Sequence, residues 1–299
     1  MILGKFMDTK RKKTEKKSYP AALTIAGSDS GGGAGIQADL RTFNAYGVYG
    51  FSVVTAVTSQ NPRTVSRIDA IPAAGVAGQI SAVAGTLDVE YAKSGMLVSQ
   101  DIVNVVAEAV EKYDLKLVCD PLMISTSGKK LLDDAAVEMM KSVLFPRAQW
   151  ITPNVPEAET LLGKTIVSVQ DMILAAKELE DLYGCSVVLK GGHLAENPSG
   201  KGLPRSVDVV CRKGELWKLS SLKMELPGFA SHGTGCTFSS AFTAGLALGI
   251  SWQDAICAAK SFVLGSLVEN VCIGSGIFAM YPPGNDYSDS VTFEKAGEK

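Results

Sequence analysis

The segment His232-Gly-Thr-Gly-Cys236 has the residue types and spacing of an anion-binding helix start. Its two glycines allow several backbone N–H groups to turn toward one point, and the apolar run 237–245 predicts a helix whose N-terminus faces that point. Cys236 lies in the predicted first turn, where the pKa of a thiol is expected to be lowered toward the thiolate. The segment favours phosphoryl transfer at an anion site that contains a base or nucleophile. The alternative is an ordinary helix cap with a buried cysteine.

A second glycine-rich segment, Gly27 to Gly35, follows the first strand-like run and could serve a different chemistry. Its end, Gly33-Ala-Gly35-Ile-Gln-Ala38, matches the relaxed dinucleotide-binding pattern. That pattern needs a tight turn directly after a strand and an acid on the next strand. Here the first run ends near Ala26, and residues 51–60 contain no acid. No segment has the glycine and hydroxyl spacing of a Walker A loop. A dinucleotide-dependent oxidoreductase is therefore disfavoured.

The elements that must position these residues alternate between strand-like and helix-like segments. β-branched and apolar runs predict strands near 21–26, 51–58, 91–96, 115–119, 149–152 and 185–189. Helical patterns lie near 34–46, 75–86, 101–112, 130–143, 168–182, 235–248 and 252–270. This alternation predicts an α/β fold in a single domain, with a mostly parallel central sheet and helices on both faces. Residues 207–211 and 215–219 predict a small hairpin.

A parallel sheet brings the residues that follow its strands to one edge, where ligands bind. Residues that could bind a ligand or take part in catalysis follow successive predicted strands. They are Gly27, Gln60, Met96, Asp120, Asn154 and Lys190. The Gly-Thr-Gly-Cys turn is expected at the same edge. The sequence thus predicts one crevice that contains all of them.

Composition and charge exclude other classes. With 299 residues, 46% of them hydrophobic, the chain can bury a large core. No apolar run approaches the roughly 20 residues of a membrane span, and the start lacks the apolar core of a signal peptide. The six cysteines are scattered without a Cys-x-x-Cys pair, which favours reduced thiols in the cytoplasm. Residues 1–20 carry a net charge of +5 and the remainder −7, so the body is acidic and nucleic acid is not expected as a partner.

Six motifs together resemble the hydroxymethylpyrimidine/phosphomethylpyrimidine kinases of thiamine biosynthesis, in the ribokinase-like superfamily. They follow one another in order as Leu23–Leu40, Thr55–Asn61, Lys93–Leu97, Thr152–Ala158, Lys190–His193 and His232–Thr237. The resemblance implies a ribokinase-like fold that uses ATP and Mg²⁺. The implied activity is phosphorylation of 4-amino-5-hydroxymethyl-2-methylpyrimidine at its hydroxymethyl group, then of the monophosphate to the diphosphate. Relatives are often homodimers, and the resemblance extends that expectation to this chain.

The resemblance also implies roles on the substrate side. Gly233, Thr234 and Gly235 would form the anion hole for the transferred group. Cys236 would deprotonate or orient the substrate hydroxyl, without a covalent intermediate. The residues expected to contact the pyrimidine are Gln60, Asp39, Gly27 and Met96. The Gln60 amide offers both a donor and acceptors to an aminopyrimidine edge, and Met96 would pack on the ring.

Four further residues match the ATP and metal side of the superfamily. Lys190 and Asn154 would contact ATP, and Asp120 and Glu157 would serve Mg²⁺, which prefers oxygen ligands. The spacing of Asn154 and Glu157 equally fits a helix N-cap with a capping-box acid.

The chain therefore divides into a basic tail over residues 1–19, a kinase domain over 20–284 and a polar C-terminal tail over 285–299, with both tails expected to be disordered. Two alternatives stay open. One is a pyridoxal or pyridoxine kinase of the same fold, and the other is a non-catalytic pyrimidine-binding regulator. The presence of Cys236, Asp120 and Lys190 weighs against the regulator.

Overall fold

The computed structural model describes residues 19–123, 132–192, 194–196, 204–224 and 230–297. The strands in these ranges are β1 (Ala21–Asp29), β2 (Tyr49–Asn61), β3 (Thr64–Ala70), β4 (Tyr91–Ser94), β5 (Lys116–Cys119), β6 (Trp150–Ile151), β7 (Ser186–Leu189), β8 (Ala195–Glu196), β9 (Arg205–Arg212), β10 (Glu215–Leu222), β11 (Val271–Gly274), β12 (Ile277–Ala279) and β13 (Thr292–Lys295). The helices are α1 (Gly35–Ala45), α2 (Ala73–Ala84), α3 (Gln100–Lys112), α4 (Asp134–Met139), α5 (Val155–Leu162), α6 (Val169–Tyr183), α7 (Thr234–Ala247) and α8 (Trp252–Val268).

One sheet of eleven strands organises the described residues. Its order is β13-β10-β9-β7-β6-β5-β4-β1-β2-β3, with β8 paired to β9 beside this path. The six central strands from β7 to β2 are parallel to one another. The strands on either side join in antiparallel fashion. The prediction of a mostly parallel sheet is confirmed.

Two hydrophobic cores lie on the two faces of this sheet. Within β5, Leu117 and Cys119 belong to one core and Val118, between them, belongs to the other. This follows from the two-residue period of a strand, which is apolar on both sides when both faces are covered. Helices α2, α3, α4, α5 and α6 contribute to the first core, whereas α1, α7 and α8 contribute to the second. The expected single domain with helices on both faces is what the chain adopts.

The predicted hairpin is also confirmed. Strands β9 and β10 pair directly through a two-residue turn, in which Lys213 and Gly214 both have positive φ. Such turns match the twist of the strands they join. The carboxylate of Glu180 on α6 accepts hydrogen bonds from both turn amides and fixes the hairpin against the domain.

The polar segment after Gly284 corrects the predicted boundary. We expected residues 285–299 to form a disordered tail, but Thr292–Lys295 forms strand β13 and pairs with β10 in the main sheet. Phe293 of β13 stacks on Trp217, so this segment has an apolar anchor that its polar composition conceals. Strand β3, which the sequence analysis did not predict, extends the opposite edge.

Two further predictions concern the chain ends and membranes. The basic tail 1–19 falls almost wholly outside the described residues. His193, the end of the Lys190 motif, also lies outside them. No helix in the described part of the chain combines the length and the apolar character that a membrane crossing requires.

Candidate active site

The carboxyl ends of the parallel strands surround a cavity of about 320 Å³. Eleven of the twelve predicted site residues line it, and they are Gly27, Gln60, Met96, Asp120, Asn154, Glu157, Lys190, Gly233, Thr234, Gly235 and Cys236. Asp39 is the exception. The expectation that a parallel sheet would bring these residues to one crevice therefore matches the geometry.

The N-terminus of α7 forms one wall of the cavity. Gly233 is its N-cap, and φ at this residue is +85°, a conformation that favours glycine. A side chain at Gly233 would also overlap the carbonyl oxygen of Gly33, so the two glycine-rich segments pack backbone against backbone. In the first helical turn the Thr234 amide donates to the Ser231 carbonyl oxygen at 3.3 Å, whereas the amides of Gly235 and Cys236 have no helical acceptor. Together with the helix dipole they provide a site for an anion.

A buried ion pair stands directly beside this turn. Lys190 Nζ lies 2.7 Å from Asp120 Oδ1. A Cβ atom on Gly235 would lie 3.2 Å from Lys190 Nζ and 3.6 Å from Asp120 Oδ2, so the turn and the ion pair are in close proximity. Burial alone would lower the pKa of Lys190, but Asp120 and Glu157 raise it overall. The cavity thus places a fixed positive charge next to the anion-binding turn.

Asn154 and Glu157 combine both roles that the sequence allowed. The Asn154 side chain accepts from the Glu157 amide, and the Glu157 carboxylate accepts from the Asn154 amide, which is a complete capping box at the start of α5. Both residues also line the cavity. Burial, together with the nearby Asp120, raises the pKa of Glu157 to about 7 against the opposing effect of Lys190.

Cys236 differs from the prediction in its protonation. Its side chain is only 5% exposed, and burial raises its pKa to about 11 although Lys93 acts in the opposite direction. The expectation of a lowered pKa considered the helix N-terminus alone. Desolvation exceeds that effect here, because the thiolate would lose its water without gaining a direct ion pair. Cys236 is therefore a neutral thiol at the cavity wall.

Asp39 also departs from the prediction. We expected it to contact the substrate, but it is fully buried beneath the cavity. Its carboxylate accepts hydrogen bonds from Thr24 and Ser240 and forms an ion pair with Lys93 at 2.9 Å. Its position on α1 turns it toward β1, β4 and α7 instead of the open space. Lys93, whose backbone belongs to a quoted motif, lines the cavity in its place.

Asp29 is a site residue that the sequence analysis missed. It ends β1, and its carboxylate accepts from the amides of Gly31, Gly33 and Ala34. It also lies 3.0 Å from His232 Nε2. Burial alone would raise the pKa of Asp29, but the hydrogen bonds from His232 and these amides lower it overall. The sequence signal that could have identified Asp29 is an acid followed directly by a serine and three glycines, which is typical of a turn organised by the acid side chain.

The substrate-side wall contains Gln60 and Met96. Met96 is 6% exposed and packs with Ala56, and its methyl group occupies the space that a side chain at Gly27 would fill. The β1–β2 register shifts at this glycine, between Ala26 and Ser28, and a second shift in β2–β3 lies beside Gln60. Such irregularities redirect side chains at the end of a strand.

Comparisons with known proteins give one consistent result. The family model described as phosphomethylpyrimidine kinase matches residues 29–281. A Bacillus subtilis hydroxymethylpyrimidine/phosphomethylpyrimidine kinase is 41% identical over 256 residues, which cover 85% of this chain and 92% of that protein. A Geobacter sulfurreducens thiamine biosynthesis bifunctional protein is 42% identical over 257 residues, and the chain spans about half (51%) of its length.

The same fold occurs in a solved structure with ligands. A Staphylococcus aureus pyridoxal kinase in complex with AMP-PCP and pyridoxal superposes with a TM-score of 0.81 at 28% identity. The match covers 94% of this chain and 100% of that one. Sequence and structure therefore relate the chain to vitamin kinases.

Proposed function

The chain belongs to the phosphomethylpyrimidine kinase family, and we propose that it transfers phosphoryl groups from ATP to 4-amino-5-hydroxymethyl-2-methylpyrimidine and then to the monophosphate. One observation carries this proposal. The anion-binding turn of α7 and the Lys190–Asp120 pair face the same cavity as Gln60 and Met96, which suit a flat polar ring. A ring bound between Gln60 and Met96 would share the cavity with a phosphate on the turn, which supports transfer to its hydroxymethyl group.

The chain's own residues supply positioning and charge neutralisation. The transition state of phosphoryl transfer spreads negative charge over the transferred oxygens and needs little covalent help from the protein. The unoccupied amides at the start of α7 would hold that group, and Lys190 would neutralise part of its charge. Cys236 is a thiol of raised pKa, which supports a role in orienting the substrate hydroxyl through Sγ more than a role as a standing base.

ATP is supported by the kinase relatives and by the AMP-PCP bound to the related pyridoxal kinase. The donor set also fits Mg²⁺. Asp120 and Glu157 present carboxylates to the same cavity, and this ion takes one or two carboxylates together with phosphates and water. Within the described residues no cluster of three or more His, Cys, Asp or Glu forms a complete protein site. When bound, Mg²⁺ would neutralise phosphate charge beside Lys190.

The test is ³¹P NMR of the purified chain with MgATP and either the hydroxymethylpyrimidine or pyridoxal. We expect pyrimidine monophosphate followed by diphosphate. Pyridoxal phosphate as the single product would favour a pyridoxal kinase. The match to the Staphylococcus aureus structure is the observation that supports this second candidate. If the folded protein forms neither product, the result would favour the regulator.

A matched pair of cysteine variants tests the site assignment. Cys236→Ala is expected to lower kcat by about 10²-fold, because the reacting hydroxyl loses its positioning contact. Cys257→Ala, on α8 and outside the cavity lining, is expected to change kcat less than twofold, that is by roughly 0.4 kcal/mol or less. Equal effects of the two changes would contradict the role of Cys236. Dimer formation and a cytoplasmic location stay predictions.

A further inference from the structure

The side-chain amide of Gln60 lies between two partners that constrain its orientation. The end assigned as Oε1 is 3.3 Å from Thr58 Oγ1, and the end assigned as Nε2 is 3.3 Å from His232 Nε2. The Gln60 backbone is fixed as well, because its amide donates to Ser30 Oγ and its carbonyl accepts from the same hydroxyl, both at 2.8 Å. The two ends of a glutamine amide have nearly the same shape, so the partners decide which end faces which.

Thr58 determines one end of the amide. A hydroxyl has a single proton, and Thr58 donates it to the carbonyl oxygen of Ser28 at 2.9 Å. Toward Gln60 it has only lone pairs left. The end of the amide that faces Thr58 must therefore be the NH₂ group.

Asp29 determines the other end through His232. The Asp29 carboxylate accepts three backbone amides, and each of them favours its ionised form. An ionised carboxylate is an acceptor only, so His232 Nε2, at 3.0 Å, must be protonated. An N–H at this position cannot face an NH₂ group favourably. The end of the amide that faces His232 must therefore be the carbonyl oxygen, which shares the single Nε2 proton with Asp29.

We propose that Asp29 and His232 are positioning residues that fix the Gln60 amide with its oxygen toward His232 and its NH₂ toward Thr58. Two independent partners require the same orientation. The free valences left for a ligand are one oxygen lone pair on the His232 side and one N–H on the Thr58 side.

This order determines how a ring binds, given the proposed function. A cyclic amidine edge, an exocyclic NH₂ beside a ring nitrogen, matches the amide in one register only, with its NH₂ on the His232 side. In the proposed pyrimidine the hydroxymethyl group is on the carbon next to the one that bears the NH₂. Because His232 directly precedes Gly233, this register turns the hydroxymethyl group toward the anion-binding turn. The pair thus selects the ring orientation in which the reacting hydroxyl faces the phosphate.

The protonation of His232 is directly measurable without any activity. The chain contains two histidines, so ¹H–¹⁵N correlation spectra of the full-length ¹⁵N-labelled protein contain two imidazoles, and His193→Gln assigns them. We expect His232 to carry a proton on Nε2, whether its ring is neutral or charged. A ring protonated on Nδ1 alone would overturn the proposal.

The effect on specificity is tested with two substrates, the aminopyrimidine and its analogue without the amino group. We expect the wild type to prefer the amine in kcat/KM by about tenfold, as one neutral hydrogen bond allows. His232→Leu should reduce this preference to about twofold, chiefly through KM, and His232→Gln, which keeps a donor, should restore part of it. Ser30→Ala, which loosens the Gln60 backbone only, should slow both substrates equally and keep the preference.

The outcomes separate the two proposals. A folded His232→Leu variant that keeps the full preference would overturn the positioning role. A wild type that phosphorylates neither ring would overturn the proposed function, while the protonation of His232 would still decide the orientation of Gln60.

Discussion

The buried pair Lys93–Asp39 allows a stability prediction with a defined magnitude. Both side chains are inaccessible to solvent, and the nitrogen and oxygen are 2.9 Å apart. The Asp39 carboxylate also accepts from Thr24 and Ser240, each at 2.6 Å, so it joins β1, α1, β4 and α7 below the site. Burial alone would lower the pKa of Lys93, but the Asp39 carboxylate raises it overall.

Lys93→Met would leave the carboxylate with two neutral donors. At this separation the lost attraction is about 6 kcal/mol for an effective dielectric constant near 20. The carboxylate can instead take up a proton, which costs about 4 kcal/mol at pH 7 from the ordinary acidity of the group. The cheaper route sets the result, so we expect a loss of about 4 kcal/mol at pH 7, within the range for one broken buried pair. At pH 5 the same route costs only about 1.5 kcal/mol.

The assay is urea unfolding, followed by tryptophan fluorescence and circular dichroism, at both pH values. Lys93→Met combined with Asp39→Leu removes both charges and should recover much of the loss. Lys164→Met breaks the exposed pair with Glu178, 2.6 Å long, and serves as the control with an expected cost of about 0–1 kcal/mol. A loss of unfolding free energy below about 1 kcal/mol for Lys93→Met at pH 7 would refute the reasoning. A loss that stays the same when the pH is lowered from 7 to 5 would refute it as well.

Two other predictions concern titration. Iodoacetamide at pH 8 should label the exposed Cys272 before Cys236, because a pKa of about 11 leaves Cys236 with a thiolate fraction of about 10⁻³. Peptide mass spectrometry gives the order of labelling. Early labelling of Cys236 would contradict the burial argument. Because folding lowers the pKa of Asp29, its contribution to stability is complete above the ordinary aspartate pKa near 3.9 and is lost as the pH falls through the lower folded value. Asp29→Asn should therefore make the unfolding free energy decline less steeply with acid below about pH 5, and an unchanged slope in chemical denaturation would disprove the link.

The parallel sheet could be predicted because its signals are local. Each central strand contains a short apolar run, and the residues after these runs meet at one edge whatever the strand order, which is why Gln60, Asp120 and Lys190 were found. Gln60 nevertheless lies within β2, which continues to Asn61. Strand β3 has no such signal, since its burial alternates poorly and its pairing depends on β2. Strand β13 is short and polar and is defined by a partner about 70 residues away.

Burial depth could not be predicted from the sequence. The helical spacing of Asp39 places it near the glycine-rich loop, but which side of α1 faces the cavity depends on how the helix packs. The burial of the Cys236 thiol was likewise unknown from the sequence, and the predicted direction of its pKa shift was therefore wrong. His232 was treated only as the start of a motif, because its contacts with Asp29 and Gln60 join residues about 200 and 170 positions apart.

Strand β13 also bears on how this sheet avoids pairing with other chains. An open sheet exposes unpaired N–H and C=O groups at both edges, and such edges invite intermolecular β-association. In the described part of the chain the strand order ends at β3 and β13. Both carry charged residues, among them the Arg67–Asp69 ion pair on β3 and Glu294 with Lys295 on β13. Beside β13 in the sheet lies the longer strand β10, whose Trp217 ring stacks on Phe293. Strand β13 thus covers the edge of β10 with a short segment that carries charged side chains.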